Sequence, residues 1–123
     1  MVKGLIVGHR DFGAAVLRVV ETVCGDVEEI THISNDGFST DDMTEAIRTI
    51  CRSGADDGVI VFVDMYGGSC WRAAKRAQES DCHIITGFNL PMLLSFIHKR
   101  QTMPFDELVN AIEHDGKRAI TCD

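Results

Sequence analysis

The chain has 123 residues, of which 45% are hydrophobic, 25% charged and 7% aromatic, and its formal net charge is −7. This length suits one domain, residues 1–123, and the ordinary charge and low proline content exclude a disordered chain. The acidic balance removes the basic footprint of a nucleic-acid binder and argues against docking on anionic membranes.

In chain order, Val2–Gly8 is a short, nearly all-apolar run, as expected for a strand buried on both faces. It is too short to span a bilayer, and His9, Arg10 and Asp11 interrupt it before a signal-peptide core can form, so a cytoplasmic location is expected. A first helix is predicted from about Asp11 to Cys24, with Val16, Leu17, Val20 and Val23 inward and Gly25 as its stop. Val27–Ser34 is a weaker strand. Met43, Ala46, Ile47, Ile50 and Cys51 then make a helical stripe, opened by a capping-box-like Ser39 and Asp42. Gly58–Asp64 is the second all-apolar strand. A third helix follows Gly67–Gly68 with Ser69 as its N-cap, and Cys82–Phe88 is a fourth strand. Pro91 and Pro104 suit the first turns of two further helices, with Asn89 favoured as a cap before Pro91. The last helix carries Phe105, Leu108, Val109 and Ile112, and Gly116 is expected to close it before a short strand at 117–122.

This alternation implies an α/β fold, a doubly wound and mostly parallel sheet with helices on both faces and strand order 2-1-3-4. Ligands of such sheets sit beyond the carboxyl ends of the strands, where the strand order reverses. That edge receives His9 from the first strand and Asp64 from the third, on neighbouring strands about 4.8 Å apart. A carboxylate fixes the histidine tautomer and leaves the other ring nitrogen free to attack an electrophile. The Gly67-Gly68-Ser69 turn into a helix suits a phosphate, so the constellation points to a phosphohistidine intermediate. Competing motifs fail. Ala14 and Ala15 stand where a P-loop needs Lys and Ser/Thr, and no G-x-G-x-x-G follows a strand. The five cysteines and five histidines are scattered without zinc-site spacing, so neither metal nor cofactor is expected, and the thiols read as reduced and mostly buried.

The strand ending in His9, the D-M-Y-G-G-S of Asp64–Ser69, the G-F-N-L-P-M-L of Gly87–Leu93 and the F-D-E-L of Phe105–Leu108 resemble one known family. It is the mannose-type enzyme IIA of the phosphoenolpyruvate-dependent sugar phosphotransferase system. The resemblance spans essentially the whole chain. It implies that His9 accepts a phosphoryl group from phospho-HPr and passes it to an enzyme IIB, with Asp64 orienting the ring. It also implies a homodimer in which the last strand crosses to the partner. Related readings are the phosphoryl-donor subunit of a dihydroxyacetone kinase and a regulatory module of the same system. Two positions depart from the family pattern: Arg10 follows the histidine where the family usually has Gly, and Cys70 follows Gly-Gly-Ser where it often has Pro. Arg10 is expected to hold the phosphate with Gly67, Gly68 and Ser69, or else to crowd a docking partner. Cys70 is expected to pack as a partly buried thiol, and Tyr66 and Trp71 are candidates for a partner surface.

Overall fold

The two all-apolar runs occupy the centre of the sheet, where both faces are covered. In the computed structural model, which describes residues 1–54 and 56–123, β1 (Lys3–Gly8) and β3 (Val59–Val63) lie side by side. They are flanked by β2 (Ile30–Ser34) and β4 (Cys82–Thr86) in the order β2-β1-β3-β4, all parallel. The helices are α1 (Phe12–Cys24), α2 (Thr40–Ser53), α3 (Ser69–Ala77), α4 (Leu90–Lys99) and α5 (Phe105–Arg118). The strand order and fold class match the sequence reading.

Side chains alternate across the pleat and divide the core into two layers. Ile6, Ile60 and Phe62 face α1, α4 and α5, where they meet Val20, Phe96, Leu108 and Ile112. Leu5, Val7, Val59, Val61 and Val63 face α2 and α3, where they meet Met43, Ile47, Ala73 and Ala74. Phe62 contacts Phe88 and Phe96 edge to face, with centroids 5.6 and 5.2 Å away. Ser39 caps α2 by accepting the Asp42 N–H at 3.0 Å, as its sequence signature predicts. Asn89 likewise caps α4, accepting the Met92 N–H at 3.0 Å.

Several expectations are corrected. Val23 does not turn inward and is 61% exposed, because the α1 stripe against the sheet is completed by Val16, Leu17 and Val20. The outer strands are shorter than expected, with β2 beginning at Ile30 and β4 ending at Thr86. The N-cap of α3 is Gly68 rather than Ser69, which is already its first residue. Residues 117–122 are not a strand: α5 continues through Gly116 to Arg118, and 119–123 follow without strand pairing. Gly116 serves packing rather than termination. A Cβ there would lie 2.5 Å from Met92 Cε, and its carbonyl accepts the Asn89 Nδ2–H at 2.8 Å. The Lys117–Glu113 pair, one turn apart at 2.8 Å, carries the helix past the glycine.

Candidate functional site

His9 follows β1 and Asp64 follows β3, at the point where the chain reverses its direction of travel across the sheet. The parallel register sets Val7 opposite Val63, and the Asp64 N–H donates to the Val7 carbonyl at 3.1 Å. The pair anticipated from topology is therefore formed. His9 Nδ1 lies 2.7 Å from Asp64 Oδ2, which also accepts the His9 backbone N–H at 2.9 Å. Asp64 Oδ1 accepts the Met65 N–H at 2.9 Å, so both carboxylate oxygens are held. A carboxylate only accepts, so Nδ1 carries the ring proton and Nε2 keeps its lone pair. The His9 side chain is 40% exposed against 12% for Asp64, an accessible ring on a buried anchor.

Gly68 borders the free nitrogen. A Cβ built there would lie 3.6 Å from His9 Cε1 and 3.9 Å from Nε2, so a side chain at this position would rest against the ring beside Nε2. Gly67 has φ +88°, in the left-handed region that glycine adopts freely, and its carbonyl accepts a hydrogen bond from Arg72 Nη1 at 3.1 Å. No side chain caps α3, which leaves its first-turn N–H groups and the positive end of its dipole for an anion. Of the three turn residues, Gly68 borders the ring, while Gly67 and Ser69 flank it in sequence at the start of α3.

Arg10 has φ +52°, a conformation that costs a side-chain-bearing residue roughly 1–2 kcal/mol. Its backbone N–H donates to Asn35 Oδ1 at 2.9 Å, and the Asn35 N–H donates to the Gly8 carbonyl at 3.1 Å. These bonds hold the turn despite the strain, and the positive φ is one that glycine would adopt without it. The Arg10 side chain is exposed and forms no ion pair among the described residues. Sequence reasoning missed Asn35 and Arg72, the two side chains that tie down the loops. Asn35 sits directly after β2, a signal that the strand-end rule could have used.

Cys70 is buried in the first turn of α3, with Sγ 3.8 Å from His9 Nδ1. Burial, reinforced by the neighbouring Asp64 charge, pushes this thiol up to about 11, so it is neutral near pH 7. The side chains of His9, Asp64 and Cys70 bring ligand atoms within 4.8 Å of one another. The strand-end rule anticipated the His9–Asp64 pair, whereas the approach of Cys70 Sγ to the ring depends on where α3 starts in space. In the segments that follow β1, β2 and β3, Phe12, Phe38, Met65 and Tyr66 are exposed, and Tyr66 packs against Trp71 at a tilt of 50° with centroids 4.6 Å apart. Arg10→Gly is expected to stabilise the protein by about 1 kcal/mol in urea denaturation, by removing the left-handed strain. Destabilisation by a similar amount would show instead that the arginine side chain makes a stabilising contact.

Comparison with known proteins places the chain in a family and agrees with the fold. The family model described as PTS system fructose IIA component matches residues 3–113. The mannose-specific EIIAB component of Escherichia coli strain K12 is 28% identical over 98% of this chain, which spans 39% of that protein's length. The sorbose-specific EIIA component of Klebsiella pneumoniae is 24% identical, over 92% of this chain and 85% of its own. In structure, the phosphotransferase system component EIIA from Streptococcus agalactiae superposes with a TM-score of 0.90 at 23% identity, covering 99% of this chain and 97% of that one. Among the described residues no helix is long and apolar enough to cross a membrane. The chain belongs to the mannose-type (EIIA-man) family of enzyme IIA components of the sugar phosphotransferase system.

Proposed function

We propose that this chain is a phosphocarrier in which His9 accepts a phosphoryl group from phospho-HPr and hands it to an enzyme IIB during sugar uptake. The observation that carries this reading is the 2.7 Å contact between His9 Nδ1 and Asp64, which leaves Nε2 as the free nucleophile beside Gly68. Nε2 attacks the phosphorus of the donor phosphohistidine, and the donor P–N bond breaks as the new one forms. The positive charge that develops on the His9 ring is stabilised by the Asp64 carboxylate. The transferred oxygens fit the first-turn N–H groups of α3 behind Gly67, Gly68 and Ser69, and the exposed Arg10 guanidinium adds charge at the rim. Return of the group to an acceptor nucleophile reverses these steps. The exposed apolar side chains Phe12, Phe38, Met65 and Tyr66, in the segments that follow β1, β2 and β3, suit protein donors and acceptors better than a small molecule. The names of the mannose, sorbose and fructose relatives point to a hexose as the sugar served.

With phosphoenolpyruvate, enzyme I and HPr, the protein is expected to gain one acid-labile, base-stable phosphoryl group per chain. His9→Ala should abolish labelling. Asp64→Asn should slow it by about 10²–10⁴, because an amide cannot accept the His9 and Met65 protons at once and unsettles the tautomer. Label on His32, His83, His98 or His114, or an unchanged rate in Asp64→Asn, would refute the mechanism.

A homodimer belongs to the same reading. The outer edge of β4 pairs with no strand among the described residues. Beside it runs a groove of about 310 Å³, bordered by His83, Thr86, Met92 and Ile120. An open edge of this kind pairs readily with a strand from another chain, and the exposed 119–123 segment is the candidate. Light scattering at micromolar concentration is expected to give twice the subunit mass, and the mass of one subunit would contradict the pairing.

A further inference from the structure

We propose that His9, Asp64 and Cys70 form a zinc-binding site, and that a zinc ion bound there blocks phosphorylation of His9. The inhibitory half rests on the phosphocarrier reading, whereas the binding half stands on the donor geometry alone.

The three side chains supply nitrogen, oxygen and sulfur donors that all lie within 4.8 Å of one another. That set suits zinc, since magnesium and calcium prefer oxygen donors throughout. A zinc ion sits about 2.0–2.1 Å from imidazole nitrogen and about 2.3 Å from thiolate sulfur. At those bond lengths the 3.8 Å between His9 Nδ1 and Cys70 Sγ corresponds to an angle of about 120° at the ion, and it must close by about 0.2 Å to reach the tetrahedral angle. The 2.7 Å between Nδ1 and Asp64 Oδ2 is a hydrogen-bond distance. It must widen by about 0.5 Å when the ion replaces the shared proton.

The donors stand on the ends of two paired strands and the first turn of a helix, so little ordering is needed to assemble them. Cys70 alone would be an ordinary buried thiol. Its sulfur, however, faces the same ring nitrogen that Asp64 holds.

The chemical consequence follows from the tautomer. In the zinc-free protein Nδ1 carries the proton and Nε2 the lone pair. Zinc bonded to Nδ1 and to the Cys70 thiolate leaves the ring proton on Nε2 and releases the thiol proton to solvent. No electrons are transferred. A protonated Nε2 has no lone pair for phosphorus, so the loaded protein cannot accept the phosphoryl group.

The test uses full-length protein in a Cys24→Ser/Cys122→Ser background, which removes the two exposed thiols. Cobalt(II) serves as a spectroscopic probe for zinc. One cobalt per chain is expected, with a thiolate-to-cobalt charge-transfer band and the visible bands of a tetrahedral site, all displaced by zinc. Cys70→Ser should lose the charge-transfer band and bind at least tenfold more weakly. Zinc at saturation should slow HPr-dependent phosphorylation at least tenfold, with recovery on adding a chelator. Cys70→Ser, compared with its own zinc-free rate, should be insensitive at the same concentration, which also controls for zinc acting on enzyme I or HPr. Absence of the band, its persistence in Cys70→Ser, or full-rate phosphorylation of zinc-loaded protein would overturn the proposal. Failure to phosphorylate the zinc-free protein would instead overturn the phosphocarrier reading and the inhibitory half with it, while the cobalt spectrum still decides the binding.

Discussion

The parallel pairing of β1 with β3 is the constraint on which everything else at the site depends. Its register places Val7 against Val63, and just beyond that pair it delivers His9, two residues on, and Asp64, one residue on, to the same point on the sheet edge. A slip of one residue would send alternate side chains to the wrong face and part the imidazole from its carboxylate. The register is secured by burial: Leu5, Ile6, Val7, Val61, Phe62 and Val63 are all fully buried, and each belongs to one of two distinct core layers. The packing of the sheet interior thus determines the chemistry at its rim.

The site divides into held and free parts. Asp64 is fixed through three contacts, to the His9 N–H, the His9 ring and the Met65 N–H, and it is nearly buried. Asn35 pins the turn after β1 and Arg72 braces Gly67, so the loops around the ring are tied to neighbouring elements. The face of His9 toward Nε2 remains open beside Gly68. A histidine organised in this way offers one nucleophilic atom in a set direction, which a carrier needs if it is to meet successive protein partners. The strain at Arg10 is the local cost of putting a charged side chain where the backbone favours glycine.

Much of this was legible from the residues. Two short, nearly all-apolar runs read as central strands of a covered parallel sheet, and the rule for strand ends then brings His9 and Asp64 together. The capping residues Ser39 and Asn89 act locally and were readable for that reason. What could not be read depends on convergence in space. Cys70 meets His9 only because α3 begins directly beside β1, and Asn35 and Arg72 act across loops distant in sequence. Gly116 misled for a related reason: a glycine after a helical stripe usually marks an end, but here it admits Met92 against the helix and α5 continues. Val23 continued the apolar stripe of α1 but lies past the point where that helix meets the core.

The central claim is that Asp64 fixes the His9 proton on Nδ1 and reserves Nε2 for phosphorus. Nitrogen-15 NMR of histidine-labelled protein, before and after phosphorylation, tests it most directly. The account predicts a neutral His9 ring protonated at Nδ1, and phosphorus–nitrogen coupling at Nε2 in the phosphorylated form. A ring protonated at Nε2 in the free, metal-stripped protein, or phosphorus bonded to Nδ1, would contradict it.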